Sequence, residues 1–135
     1  MSYIHDMIKT HPTIKDESMC SALEKCIQVC FDCAQACTTC SDACLGEKSV
    51  ESLRATIRAT ADCSDICIST GKMLSRLNDP DWVLIKAQIA ACVNAVRHCG
   101  MMCNEHRHHH EHCAVCANAC RECENACSDY LKSIG

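Results

Sequence analysis

Apolar and small residues recur along most of this chain at alternating gaps of three and four, the spacing that keeps one face of an α-helix turned toward a common axis. The first long segment reads Met19, Leu23, Cys26, Cys30, Cys33, Cys37, Cys40, Cys44. A second runs Leu53, Thr56, Thr60, Cys63, Cys67, Thr70, Leu74, Leu77, and a third Trp82, Ile85, Ile89, Cys92, Val96, Cys99, Cys103. The fourth is Cys113, Cys116, Cys120, Cys123, Cys127, Tyr130, Ile134. A period of about 3.5 residues is that of helices packed side by side. Cys20 alone among the cysteines falls off these seams.

Turn and cap residues divide the segments. Pro12 separates a leader, in which Ile4 and Ile8 share one side of a short helix, from the rest. Thr13 with Asp16, or Ser18, caps the helix carrying Cys20 to Cys44, and Gly46 closes it. Ser49 caps a second helix reaching about Leu77. In Asn78-Asp79-Pro80-Asp81, Asp79 reads as N-cap, Pro80 as the first helical residue and Asp81 as a charge favoured by the positive end of the dipole. The third helix then extends to about Asn104, and the fourth runs from about His108 to Lys132. Similar lengths and short links predict an all-α protein: an antiparallel up-down-up-down four-helix bundle over residues 13–135, after an N-terminal arm or short helix at 1–12.

Composition changes the meaning of that seam. Of 135 residues 17 are cysteine, so thiols hold positions where leucine and isoleucine normally sit. One Phe, one Trp and two Tyr argue against a β-sandwich or a stacking platform for single-stranded nucleic acid. A net charge of −4 removes the basic footprint of a nucleic-acid binder. No run approaches the roughly 18 apolar residues of a membrane span, and the N-terminus shows neither an export signal nor twin arginines. The expected setting is therefore cytoplasmic, with reduced thiols and with neither nucleic acid nor membrane as partner.

Sulfur at this density points to metal. An odd cysteine count excludes complete pairing within one chain, and residues three or four apart on a helix project their Cβ bonds in parallel, a poor match to a disulfide. Four thiolates around Zn²⁺ leave a charge near −2 at each site, costly when stacked in a dry interior. One Cu(I) per thiolate cancels the charge and suits a soft ligand. All seventeen cysteines are candidate ligands, giving a capacity on the order of 15–20 ions. A zinc or cadmium thiolate buffer is the alternative of the same kind, and a redox-regulated disulfide-forming protein the alternative of another class. Catalysis is not expected. The Cys-x-x-Cys steps belong to a continuous seam rather than to a helix start after a strand, no Glu-x-x-His pair faces inward, and no proline-terminated Fe–S run occurs.

Antiparallel topology also separates the two ends. Met19, Leu23, Leu74, Leu77, Trp82, Ile85, Ile89, Tyr130 and Ile134 meet as an apolar plug at one of them. At the other, Cys40, Cys44, Cys99 and Cys103 meet the histidine-rich link 104–112. Continuing the seams puts His106 and His109 over this mouth, with His108, His110 and His112 facing water. Met101 and Met102 flank the same end, packing in the first instance and offering a thioether to Cu(I) in the second. Thr56, Thr60 and Thr70 are expected to bond back to helix carbonyls.

The Cys-x₃-Cys and Cys-x₂-Cys run of helices one and four, the cysteine pair of helix two and the histidine-rich link before Cys113 together resemble the bacterial cytosolic copper storage proteins, a Cys-rich four-helix-bundle family. The resemblance spans nearly the whole chain. It implies Cu(I) held along the core by Cys26 through Cys127, His106 and His109 at the mouth, and a homotetramer. Copper ions would be the cargo, exchanged with a copper chaperone or small-thiol donors. Exported relatives carry a twin-arginine signal and a methionine-lined mouth, and neither feature is evident here.

Overall fold

A computed structural model describes residues 2–16 and 20–135. Among the described residues there are α-helices and one 3₁₀ turn, and no strand: α1 (Ile4–Lys9), α2 (Cys20–Leu45), the turn Val50–Leu53, α3 (Arg54–Leu74), α4 (Trp82–Glu105) and α5 (Glu111–Ile134). The four long helices pack in a closed ring, α2 on α3, α3 on α4, α4 on α5 and α5 back on α2, with α1 lying against α2. This is the expected four-helix bundle. Ser18 and Met19, read from the sequence as cap and seam residues, lie outside the described residues.

The seams become the interior. Every cysteine from Cys26 to Cys127 is buried, and Leu23, Leu53, Leu74, Ile85, Ile89, Val96 and Tyr130 join them. Because sulfur fills the axis, ordinary apolar packing is displaced to the flanks, where Ile27, Val29 and Val93 are buried. Hydroxyls pin α2 to α3: Thr38 Oγ1 donates to the Ala34 carbonyl at 2.8 Å, and Ser64 Oγ lies 2.6 Å from Thr38 Oγ1 and donates to the same carbonyl at 3.0 Å. Small side chains at these positions let the backbones approach.

Helix ends depart from the sequence reading at four places. The residues before α2 are not capped through Thr13, whose N–H and hydroxyl meet His11 Nδ1 at 3.2 and 2.9 Å. The second helix is interrupted at its start by the 3₁₀ turn and ends at Leu74 rather than Leu77. Asp81, not Asp79, is the N-cap of α4, its carboxylate accepting from the Leu84 N–H at 3.1 Å. Asp79 takes a left-handed φ of 44° in place of the extended backbone an N-cap needs, so no helix starts at Pro80 and α4 begins at Trp82. Helix α5 begins at Glu111 with His110 as N-cap, leaving His108 in the link.

At the apolar end Leu23, Leu74, Leu77, Ile85, Tyr130 and Ile134 converge as expected, around a recess of about 260 Å³ that also takes in Ile14 and Cys20. Trp82 lines it but remains 46% exposed. Helix α1 straps the outside of this end through buried Ile8 and through His5 Nδ1, 2.8 Å from Glu24 Oε2.

The cap assignment can be checked by urea unfolding of the reduced protein. Asp81→Ala should cost about 1 kcal/mol, the usual value of an N-cap side chain. Asp79→Gly relieves a left-handed φ and should leave stability level or slightly higher; the opposite ranking would return the cap to Asp79.

Candidate metal-binding core

Sixteen of the seventeen cysteines are buried free thiols, and Cys20 is half-buried. The sixteen buried sulfurs form one connected row. From the apolar end, Cys26 Sγ lies 3.0 Å and Cys30 Sγ 3.6 Å from Cys127 Sγ. Cys30, Cys92, Cys123 and Cys127 gather their sulfurs within 4.8 Å of one another, as do Cys33, Cys67 and Cys123. Farther along come Cys33, Cys37, Cys63 and Cys120, then Cys37, Cys99, Cys116 and Cys120. The last group, at the mouth, is Cys40, Cys44, Cys113 and His112. Cys103 meets the thiols of Cys116, Cys40 and Cys99.

Two geometric rules build this row. Within a helix, i and i+4 thiols stand one above the other, as at Cys33–Cys37 (3.8 Å), Cys63–Cys67 (3.9 Å) and Cys123–Cys127 (3.9 Å). Between helices, antiparallel packing brings partners such as Cys37–Cys116 (3.6 Å), Cys33–Cys120 (3.7 Å) and Cys67–Cys92 (3.9 Å) to the same level. Neighbouring groups share members: Cys33, Cys37, Cys120 and Cys123 each belong to two. Sulfurs shared this way cannot close separate four-ligand cages; they suit bridging thiolates. Cys20 stands apart, its sulfur 3.6 Å from the Asp16 carbonyl.

The mouth is arranged differently from the sequence reading. His112, expected in water, turns Nδ1 inward to 3.4 Å from Cys40 Sγ and 3.6 Å from Cys113 Sγ. His110, also expected in water, is half-buried with Nδ1 2.5 Å from Glu47 Oε2, and its ring stacks on His112 at 5.6 Å. His106 is half-buried at the end of α4, 6.3 Å from His110 between ring centroids. These three rings step from the link down to the thiols. His109 is exposed instead, as is His108. The cause is the late start of α5: a seam extended back from Cys113 assumes helix at residue 109, where there is none. The usable signal was adjacency, since a first-turn residue beside Cys113 overhangs the open end. Met101 is exposed and Met102 half-buried.

Thr60 and Thr70 hydroxyls donate to the Thr56 and Ile66 carbonyls at 2.9 and 2.7 Å, as expected. Thr56 does not follow them; its Oγ1 is buried without a partner.

Burial governs the protonation of the mouth thiols. It pushes Cys113 from 9.0 up to about 11 and also raises Cys44, so both are neutral near pH 7. At the deep end a hydrogen bond from Cys127 lowers the Cys26 thiol while burial opposes the shift. For Cys113 the folded chain binds its proton more tightly than the unfolded one. Its contribution is complete below the unfolded value near 9 and is lost as pH rises toward 11. The thermal midpoint of the reduced, metal-free protein should therefore fall across that window. A flat midpoint from pH 9 to 11 would contradict a dry mouth.

Comparison with known proteins agrees with this geometry. The copper storage protein family model matches residues 19–132. An uncharacterised cysteine-rich protein of Bacillus subtilis, YhjQ, is 36% identical over 96 residues, covering 71% of this chain and 83% of the relative. The copper storage protein Ccsp of Streptomyces lividans, solved loaded with 10 copper equivalents, superposes with a TM-score of 0.92 at 42% identity, covering 96% of this chain and 98% of that one. A second structure of the cytosolic copper storage protein from that organism, with five coppers, gives 0.87 at 43% identity over 89% of this chain and all of the other. With a family match across nearly the whole chain and a bundle core built of sulfur, this protein belongs to the copper storage protein family.

Proposed function

We propose that this chain stores Cu(I) at high capacity along the bundle axis, with Cys26 through Cys127 as bridging ligands. The observation that carries the reading is the sharing of Cys33, Cys37, Cys120 and Cys123 between adjacent sulfur groups. Divalent ions in separate closed sets of four thiolates use each sulfur once and leave each site negative. A monovalent soft ion between pairs of thiolates uses each sulfur twice and leaves the interior neutral. Loading displaces the thiol protons, so uptake should release protons and strengthen as pH rises.

Copper reaches the row past His106, His110 and His112. An imidazole is a serviceable transient ligand, and Glu47 and Ser49 hold His110 in place through its two ring nitrogens. In the same reading the protein works without catalysis, in the cytosol, exchanging ions with a copper chaperone or small-thiol donors. The exposed apolar residues Trp82, Val83 and Leu84 at the start of α4 support its association with further copies of the chain, in this reading as a homotetramer. Cys20, off the row, is outside the proposed ligand set.

Anaerobic titration of the reduced protein with Cu(I) should plateau near one ion per buried thiol, against a competing chromophoric chelator. A plateau at roughly four ions, as separate tetrahedral sites would give, overturns the reading. In the same assay His112→Ala should slow uptake several-fold while capacity changes little, and His109→Ala should load at the wild-type rate.

A further inference from the structure

The sulfur row has four walls at its centre and three at its mouth. Cys63 of α3 stands level with Cys33 and Cys37 of α2, and Ser41 Oγ donates to the Ile57 carbonyl at 3.4 Å. That antiparallel register places Thr60 and Thr56 beside Cys40 and Cys44. Around the mouth group α2 and α5 supply Cys40, Cys44, Cys113 and His112, with Cys103 of α4 against Cys40. On the α3 side the seam presents hydroxyls where the other walls present soft ligands, and both threonines are fully buried.

The two hydroxyls are not equivalent. Thr60, inside the helix, spends its proton on the carbonyls of Thr56 and Ile57. Thr56 lies in the first turn, where the residue four back, Ser52, belongs to the 3₁₀ turn, and its Oγ1 is left unpartnered at 0% exposure. A buried hydroxyl without a partner costs stability. His112 Nε2, also buried without a hydrogen bond, has Glu47 Oε1 at 3.8 Å, so the Thr56 hydroxyl is the atom at this end left to be completed by something else.

We propose that the Thr56 hydroxyl donates to a copper-bound thiolate of the mouth group, so that the ions nearest the opening are held more weakly and exchange faster than those in the four-walled layers below. A hydrogen bond to a thiolate draws charge from its sulfur and lowers its strength as a metal ligand. Exchange there is a substitution. The copper bond to the Cys sulfur breaks as one to an incoming ligand forms, and the released thiolate takes a proton from water. The inference rests on the storage reading and adds a gradient to it: full capacity inside, a quickly drawn fraction at the opening.

The test uses the reduced full chain loaded anaerobically with Cu(I) and mixed with excess chromophoric Cu(I) chelator. Wild type should release copper in two phases, a small fast one from the mouth and a slow remainder. Thr56→Val keeps the shape and removes the proton, so the fast phase should slow roughly tenfold, the scale of one hydrogen bond to a charged group. Its metal-free thermal midpoint should hold or rise, which a merely structural hydroxyl would not allow. Thr56→Ser should retain the wild-type rate, and Thr56→Cys should bind about one further ion and shrink the fast phase. Superimposable release from wild type and Thr56→Val, or no gain of metal in Thr56→Cys, overturns the inference while the capacity measurement leaves storage standing. A wild-type plateau at roughly four ions overturns both.

Discussion

A dry interior lined with ionisable sulfur must stay electrically neutral, and nearly every feature of this protein follows from that constraint. Sixteen thiols turned toward one axis are tolerable as neutral S–H groups. Ionised together without counter-ions they would repel one another in a medium that screens poorly. Matching each thiolate with one monovalent cation restores neutrality in the loaded state as protons do in the empty one. Charge therefore changes identity on loading while the interior remains uncharged.

The same constraint sorts the residues around the row. Groups that tolerate partial charge stand at the opening: the imidazoles of His106, His110 and His112, backed by Glu47. The opposite end is apolar, with Leu23, Ile85 and Tyr130 lining its recess. Between them the walls are held by features that compete little with the thiols. Threonine and serine hydroxyls are turned to backbone carbonyls, and apolar side chains are kept on the flanks. A core in which cysteine replaces leucine buries less carbon than an ordinary bundle, so bound metal adds stability that packing does not supply.

Most of the fold and the thiol row could be read from residue order because both are periodic. A three-and-four repeat sustained from Leu23 to Cys44 and from Cys113 to Tyr130 turns one face inward whatever the neighbours do. Local signals failed where two competed over a few residues. At Asn78–Asp81 either aspartate could cap, and the left-handed backbone at Asp79 leaves the cap to Asp81. At the link, five histidines in seven residues carried no periodic information once the helix had stopped, so His109 was placed at the mouth and His112 in water.

By itself the sequence determined that four helices would form, that sulfur would line their common axis, and that one end would be apolar and the other rich in histidine. Each of these depends on contacts within a turn or two of helix. Tertiary structure alone decided which sulfurs are shared between groups, which imidazole reaches them, and that the Thr56 hydroxyl is buried without a partner. Those depend on the register of one helix against another, where a shift of one residue rotates a side chain by about 100°, and no local pattern encodes it.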